Sequence, residues 1–482
     1  MSPKLEVLPL SYLCLKCVSN LLVHCLGSEE PCDDQTLTNY LSEATGEVLQ
    51  DIIKRVLSSE NLDASTRFSC LRVSLREDVR RLDTGMFPQF YYEAILEVIR
   101  TKAPGLQHLN LHGVWLREYP TLLISVIEKL KNLKVLIIPH MADDLVLQTA
   151  IKCDQLTVLD ISGECNFTRE GLMTLKSDTL KVLSIGMFGK ANVCDISYVD
   201  RDDAEEEKVI VSLIKNFPNL NVLKTFSFIG GALKSIQQSD PTFRTKLKYI
   251  HDTRTSLESL DAIAYLCPNL ESVHFNSPQD GVISKLGCLK RLNSLKVSAC
   301  RADELQDYLN RHGDKLQFLK VNLLRDTSVF DVSQLCIACP ELRTLELYKC
   351  NRLACLQPDN YFLALESLEM LYCSVGDALV RYFLMNTPFL RRLLVGDVVR
   401  MTDGDVFRLC ADCEFASLEE LWLSNARGLT LTSVELLMGH CPRLRVLGQL
   451  NGWDITPDDM DLLRAVILST NTDLTLLPIE TG

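Results

Sequence analysis

A six-residue pattern, Leu-x-x-Leu-x-Leu with apolar substitutes, recurs along most of this 482-residue chain and constrains its fold more than any other feature. Clear copies begin at Leu106, Leu133, Leu156, Leu180, Leu292, Leu316, Leu342, Leu390 and Leu418. Weaker ones begin at Leu220, Leu247, Leu270, Leu368 and Leu444. Most copies are 22–28 residues apart; Leu133 to Leu156 is 23 residues and Leu292 to Leu316 is 24.

That period and pattern are those of a leucine-rich repeat. Leu-x-Leu alternates with period two, so its leucines share one side of a short strand. The residues between copies carry helical spacing: Val209, Ile210, Leu213 and Ile214 precede the copy at Leu220. Several of these helices end in an x-Pro step, as at Cys267-Pro268, Cys339-Pro340, Cys441-Pro442 and Phe217-Pro218. Proline there stops the helix and favours extended backbone before it. No repeat buries its leucines alone, so neighbours stack. The expected fold is an α/β leucine-rich-repeat solenoid with a parallel concave sheet and convex helices, the crossovers right-handed. About fourteen strands spaced roughly 4.8 Å apart give a concave face on the order of 60 Å long.

The expected divisions are a small helical segment over 1–62, a cap over 63–105, repeats over 106–457 and a second cap over 458–482. In the first segment a helix spans 8–26, with Pro9 in its first turn and Gly27 as its stop. A second covers about 45–58, where Val48, Leu49, Ile52, Ile53, Val56 and Leu57 are apolar, and a polar stretch separates the two. Phe68, Leu71 and Val73 suggest a degenerate first strand, and 91–99 a helix leading into the array. Leu180 and Leu220 are 40 residues apart. This marks an inserted acidic loop with Asp200, Asp202, Asp203, Glu205, Glu206 and Glu207, read as a solvated surface loop or a site for a basic partner. Leu462, Leu463, Val466 and Ile467 form an amphipathic terminal stretch.

Lys and Arg number 50 against 63 Asp and Glu, a net charge of −13. This argues against a general phosphate-backbone binder. The 19 cysteines are an odd count, and no secretory signal precedes them. Glu6, Lys16, Asn20 and His24 break the apolar run over 5–26, which reads as too interrupted to span a bilayer. The expectation is a reduced chain of the cytoplasm or nucleus with free thiols and no membrane or nucleic-acid partner.

The Cys-Pro-x-Leu endings resemble the cysteine-containing class of leucine-rich repeats, common in substrate-recognition subunits of ubiquitin ligases. A second resemblance lies at the N-terminus. Pro9, Leu10, Cys14 and Val18 fit the pattern [S/T/P]-L-x-x-x-C-x-x-x-[A/I/L/V], which resembles the BC box of elongin C-binding substrate receptors. That resemblance implies that Leu10 enters a pocket of elongin C, with Cys14 and Val18 beside it, as an amphipathic helix in a groove. Leu13, Cys17 and Leu21 form the neighbouring stripe. The layout is similar to the Zyg-type receptors of cullin 2 ligases, and it implies elongin C, elongin B and a cullin as partners. Two departures stand out: Thr45-Gly46-Glu47 lacks the proline of a cullin 2 box, and the repeats leave no room for an armadillo-like domain after them. The alternatives are an F-box starting near Leu8-Pro9 that binds a cullin 1 adaptor, a non-ligase scaffold, and an ordinary capping helix packed on the first repeat.

No His-Glu-x-x-His, P-loop, G-x-G-x-x-G or G-x-S-x-G motif occurs. The pairs Cys14/Cys17, Cys336/Cys339 and Cys410/Cys413 have metal-like spacing, but structural thiols fit repeat positions as well. A non-catalytic recognition protein without cofactor or metal is expected. Residues flanking the last two leucines of each copy point out of the concave face. In the C-terminal half they are Phe318, Thr344, Glu346, Tyr348, Met370, Tyr372, Arg392, Leu394, Glu420 and Trp422. Aromatic residues, Met and Arg are typical interface anchors. The expected substrate site therefore comprises Phe318, Tyr348, Tyr372, Arg392, Glu420 and Trp422; otherwise these side chains merely screen the sheet.

Overall fold

The structure is a computed structural model that describes residues 2–5, 9–28, 33–59, 61–115, 119–163, 166–186, 203–225, 229–374 and 376–477. The chain divides into two compact units: Leu8–His251, and Met1–Val7 with Asp252–Gly482.

The unit Leu8–His251 opens with four helices, α1 (Leu10–Gly27), α2 (Asp34–Tyr40), α3 (Gly46–Leu57) and α4 (Ala64–Ser74). Its strands are β1 (Arg81–Asp83), β2 (His108–Asn110), β3 (Val135–Ile137), β4 (Val158–Asp160), β5 (Val182–Gly186), β6 (Val222–Thr225) and β7 (Tyr249–Thr253), the last crossing the division. They pair in parallel and in chain order. Register aligns Leu82, Leu109, Leu136, Leu159, Leu183 and Leu223 in one buried column. A helix α5 (Tyr92–Lys102) follows β1.

In the second unit the strands are β8 (Ser272–Asn276), β9 (Ser294–Cys300), β10 (Phe318–Leu324), β11 (Phe330–Asp331), β12 (Thr344–Tyr348), β13 (Leu353–Ala354), β14 (Ser367–Leu371), β15 (Arg392–Val395), β16 (Glu420–Leu423), β17 (Val446–Gly448) and β18 (Thr475–Leu477). All but β11 and β13, which pair with each other, form one parallel set in chain order. Val273, Leu295, Leu319, Leu345, Leu368, Leu393, Leu421 and Leu447 make one inward column, and all are buried. Each such side chain contributes about 1.5–3 kcal/mol by leaving water. Strand order and register make the fold an α/β leucine-rich-repeat solenoid. Residues 2–5 also belong to this unit: Asp473 N–H donates to Pro3 O at 2.7 Å and Leu5 N–H to Asn471 O at 3.0 Å.

The x-Pro steps do what the sequence implies. The carbonyls of Phe217, Cys267, Cys339 and Cys441 each accept from the N–H of the following repeat's first leucine, at 3.0–3.3 Å. Proline at the second position of such a turn presets its φ. Two further cysteines bridge repeats. The Cys373 thiol donates to Leu347 O at 3.3 Å, and the Cys350 N–H donates to Cys373 Sγ at 3.4 Å.

Four expectations are corrected. Phe68, Leu71 and Val73 lie in α4, not a strand, because Asp63 caps that helix by accepting from Thr66 N–H at 2.9 Å. The first strand is β1, in which Leu82 is buried, and Val79 and Thr84 are buried on either side of it. Part of the acidic insertion lies outside the described residues, but Asp203–Asn216 is a helix and Glu206 is buried, so this part is no solvated loop. Carboxylates in a first turn favour a helix by facing its dipole. The copy at Leu368 in fact begins at Leu365, so Leu368 and Met370 point inward and both are buried. Met370 was expected outside; its unbranched thioether fills a leucine position.

Candidate functional site

The N-terminal site is α1. Pro9 precedes it with extended backbone, and no acidic residue occupies its first turn. The helix lies on α3 and α4. Ser19 and Leu22 are buried on that side, with Leu15, Val18 and Leu26 half-buried. A β-carbon on Gly27 would sit 3.3 Å from Thr66 Oγ1, so the end of α1 approaches α4 closely. The opposite side is a solvent-facing stripe of Leu10, Leu13, Cys14, Cys17 and Leu21, with Leu10 76% exposed. Val18 differs from Leu10 and Cys14 for a geometric reason. Each four-residue step turns about 40° beyond a full turn, so eight residues carry position 18 toward the helix's own core.

Helix α3 is a core element. Of its six apolar residues only Val48 is exposed; Leu49, Ile52, Ile53, Val56 and Leu57 are buried. Its Arg55 guanidinium lies 5.2 Å from the Tyr12 ring centre. Hydrogen bonding to Arg55, reinforced by its charge, holds the Tyr12 phenol below its ordinary pKa. Leu8, on which the F-box alternative rests, lies outside the described residues. By length and composition alone α1 is apolar enough to cross a membrane, a test that core helices of proteins outside membranes also pass. Only Lys16 carries a full charge along it.

The second site is the face of the β9–β16 strands opposite the inward column. Parallel register brings five of the six expected residues into one polar ladder. Lys296 Nζ lies 5.2 Å from the Phe318 ring centre, and Lys320 Nζ 4.5 Å from that of Tyr348. Lys320 also donates to Glu346 Oε2 at 2.7 Å. The Tyr348 hydroxyl donates to the Glu369 carboxylate. Desolvation, with that carboxylate beside it, raises the Tyr348 pKa. Arg392 reaches Glu369 Oε2 and Glu420 Oε2, each at 3.3 Å. Trp422 Nε1 donates to Glu420 Oε2 at 3.4 Å. Lys296, Lys320 and Glu369 were not anticipated, although Lys320 sits two residues beyond the expected Phe318 on the same face.

Two residues depart from expectation. Trp422 stands in the outward register but is only 9% exposed. Its ring covers Gly448, where an added β-carbon would come within 1.9 Å of Cε3. Side-chain alternation gives the face a residue points to, not the size of its neighbour. Tyr372 lies beyond β14 with φ +54° and is 67% exposed, outside the ladder. It shares this left-handed turn position with Leu323, Lys349 and Asn425 in other repeats.

Of the paired cysteines, Cys14 and Cys17 face solvent, whereas Cys336, Cys339 and Cys410 are buried in packing positions. Cys336 donates to Ser333 O at 2.9 Å, and burial pushes the Cys339 and Cys441 thiols up to about 12. Among the described residues, no three His, Cys, Asp or Glu side chains gather as metal ligands.

The chain matches no protein-family model and no curated protein. It does match solved structures. The crystal structure of the Rad7 and Elc1 complex in yeast shares 14% identity with a TM-score of 0.46, covering 88% of this chain and 95% of that one. A Leptospira interrogans leucine-rich-repeat protein shares 15% with a TM-score of 0.31, covering 88% and 97%. The mouse RP105/MD-1 complex shares 14% with a TM-score of 0.38, covering 86% and 82%.

Proposed function

We propose that this chain is a substrate-recognition subunit of a cullin–RING ubiquitin ligase that uses α1 to bind elongin C, with elongin B and a cullin completing the assembly. The observation that carries the reading is the outward stripe of α1. Leu10 and Cys14, the first two anchors of the BC-box pattern, stand in solvent on a helix whose other side is held by α3 and α4. A capping helix would turn its apolar positions inward; this one leaves five of them uncovered. Exposed apolar stripes of this kind mark partner surfaces, and helix-in-groove docking uses such spacing.

The chain performs no chemistry in this reading and acts in the cytoplasm or nucleus. It holds a target beside a charged ubiquitin-conjugating enzyme and raises its effective concentration there. Target capture falls to the ladder face of β9–β16, where Phe318, Tyr348, Arg392 and Glu420 offer aromatic and charged contacts, with Tyr372 beyond the strand ends. Cullin 2 is the cullin implied by the Zyg-type layout. The buried apolar face of α3 leaves only Val48 and polar side chains for that contact.

A pull-down with the intact chain tests the reading. Recovery of elongins B and C with a cullin supports it. Recovery of a cullin 1 adaptor, or neither, overturns it. Flotation of the chain with anionic liposomes in place of elongin binding would assign the stripe to lipid instead.

A further inference from the structure

The ladder face is largely self-satisfied, but another surface of the second unit is not. Leu363 lies two residues before the inward Leu365, and Phe389 one residue before Leu390, so both sit where the chain approaches its strands in consecutive repeats. They flank a groove of about 500 Å³ and are 71% and 54% exposed. Arg343, Arg391 and Arg443 line the same groove, against one carboxylate, Glu366. Arg343 pairs with Glu366 at 2.6 Å, and Arg391 pairs with Glu419 at 2.8 Å. Arg443 is exposed and has no ion pair or hydrogen bond among the described residues.

We propose that this groove binds an acidic peptide segment carrying an apolar anchor side chain. The proposal goes beyond the adaptor reading and stands whether or not α1 binds elongin C. Charge complementarity selects the occupant. With Arg343 on Glu366 and Arg391 on Glu419, Arg443 leaves the groove one uncompensated positive charge on a chain whose net charge is −13, so the groove runs against the molecule's overall sign. Guanidinium groups favour planar, bidentate carboxylates. The exposed Leu363 and Phe389 favour an apolar side chain between those carboxylates. Nucleic-acid binding would need a basic stripe along several phosphates, whereas two of these three arginines are already paired. Aromatic and Arg side chains together are the residue types that anchor protein contacts.

The test is fluorescence anisotropy with the full chain and a labelled dodecapeptide of Asp and Glu around a central Leu-Phe pair. Control probes are the same peptide with Ser for its acids, the same peptide with Ala for Leu-Phe, and an oligouridine. Saturable binding of the first probe alone is expected, weakening as salt rises from about 50 to about 500 mM. Arg443→Glu and Phe389→Ala should each weaken it about tenfold or more. Both side chains are exposed, so melting temperatures should stay at the parent value, and an unchanged melt separates lost binding from lost folding. Equal binding of the serine peptide or of oligouridine, or unchanged binding by Arg443→Glu, overturns the proposal. So does absence of binding up to about 1 mM, an affinity of only about 4 kcal/mol. Self-association of the parent chain that Arg443→Glu abolishes overturns it in favour of a second copy.

Discussion

Met370 tests the repeat register directly, because two registers put it on opposite faces, and Tyr372 is its exposed control. In the structure Met370 pairs with Leu347 across β12 and β14 and is fully buried. Replacing it with Ala removes the thioether and leaves a cavity, at a cost of about 2–5 kcal/mol. For a unit of this size each kcal/mol moves the melting temperature by about 2–4 °C, so Met370→Ala should melt roughly 4–20 °C lower. Tyr372 sits at φ +54° with most of its ring in water. Tyr372→Ala should therefore stay within about 0.5 kcal/mol of the parent chain. Tyr372→Gly should match or exceed the parent. Relief of a left-handed penalty of about 1–2 kcal/mol outweighs the roughly 0.4–1 kcal/mol that glycine adds to unfolded-chain entropy. Scanning calorimetry with urea titration reads all three. A tolerated Met370→Ala would refute the register and make Leu371 and Cys373 the inward pair.

Gly448→Ala should displace the Trp422 ring, cost about 1–3 kcal/mol by overpacking and red-shift tryptophan emission; an unchanged spectrum would contradict the stacked geometry. Backbone and side-chain hydrogen bonds from Thr402, with Arg381 and Arg408 nearby, hold the Asp405 carboxyl below the usual carboxylate range. A carboxyl depressed in the folded state stabilises it above the unfolded pKa, near 3.9, and loses that contribution as pH falls through the folded value. Asp405→Asn should therefore cost about 1 kcal/mol at neutral pH and progressively less in acid; a cost constant with pH would contradict this. Arg392→Ala should weaken target capture and raise the Tyr348 pKa slightly, because the lost guanidinium opposes a shift whose main cause is desolvation; ultraviolet titration of the phenol checks the second part.

The repeat was legible wherever leucine or a close relative held the inward positions, and it was hidden where another residue did. Thr84 stands third in the first repeat, its N–H on Asn110 O at 3.0 Å, so the strand at 81–83 passed unnoticed. Met370 masked the true copy while Leu368, Leu371 and Cys373 imitated a false one. Helix α2 was missed because its signal is polar: Asp33 accepts from Thr36 N–H at 3.1 Å within a stretch that carries few apolar residues. The outward direction of Phe318, Tyr348, Arg392, Glu420 and Trp422 followed from alternation alone. Their joining into a ladder did not, because it depends on which repeats align side by side, and burial of Trp422 depends on a glycine 26 residues away. The two stripes read on α1 are neighbours that together make most of its exposed side, and the face of Leu15, Ser19, Leu22 and Leu26 that meets α3 and α4 was not read from the sequence.

The central claim is that the outward stripe of α1 is an adaptor-binding surface, and titration of purified elongin B–C complex onto the intact chain measures it. Leu10 and Cys14 are exposed, so Leu10→Ser with Cys14→Phe should leave the melting temperature within about 2 °C of the parent value. The parent chain should bind with a measurable dissociation constant and the double variant should not bind. Equal binding by both chains, or a double variant that unfolds early and still binds, would contradict the account.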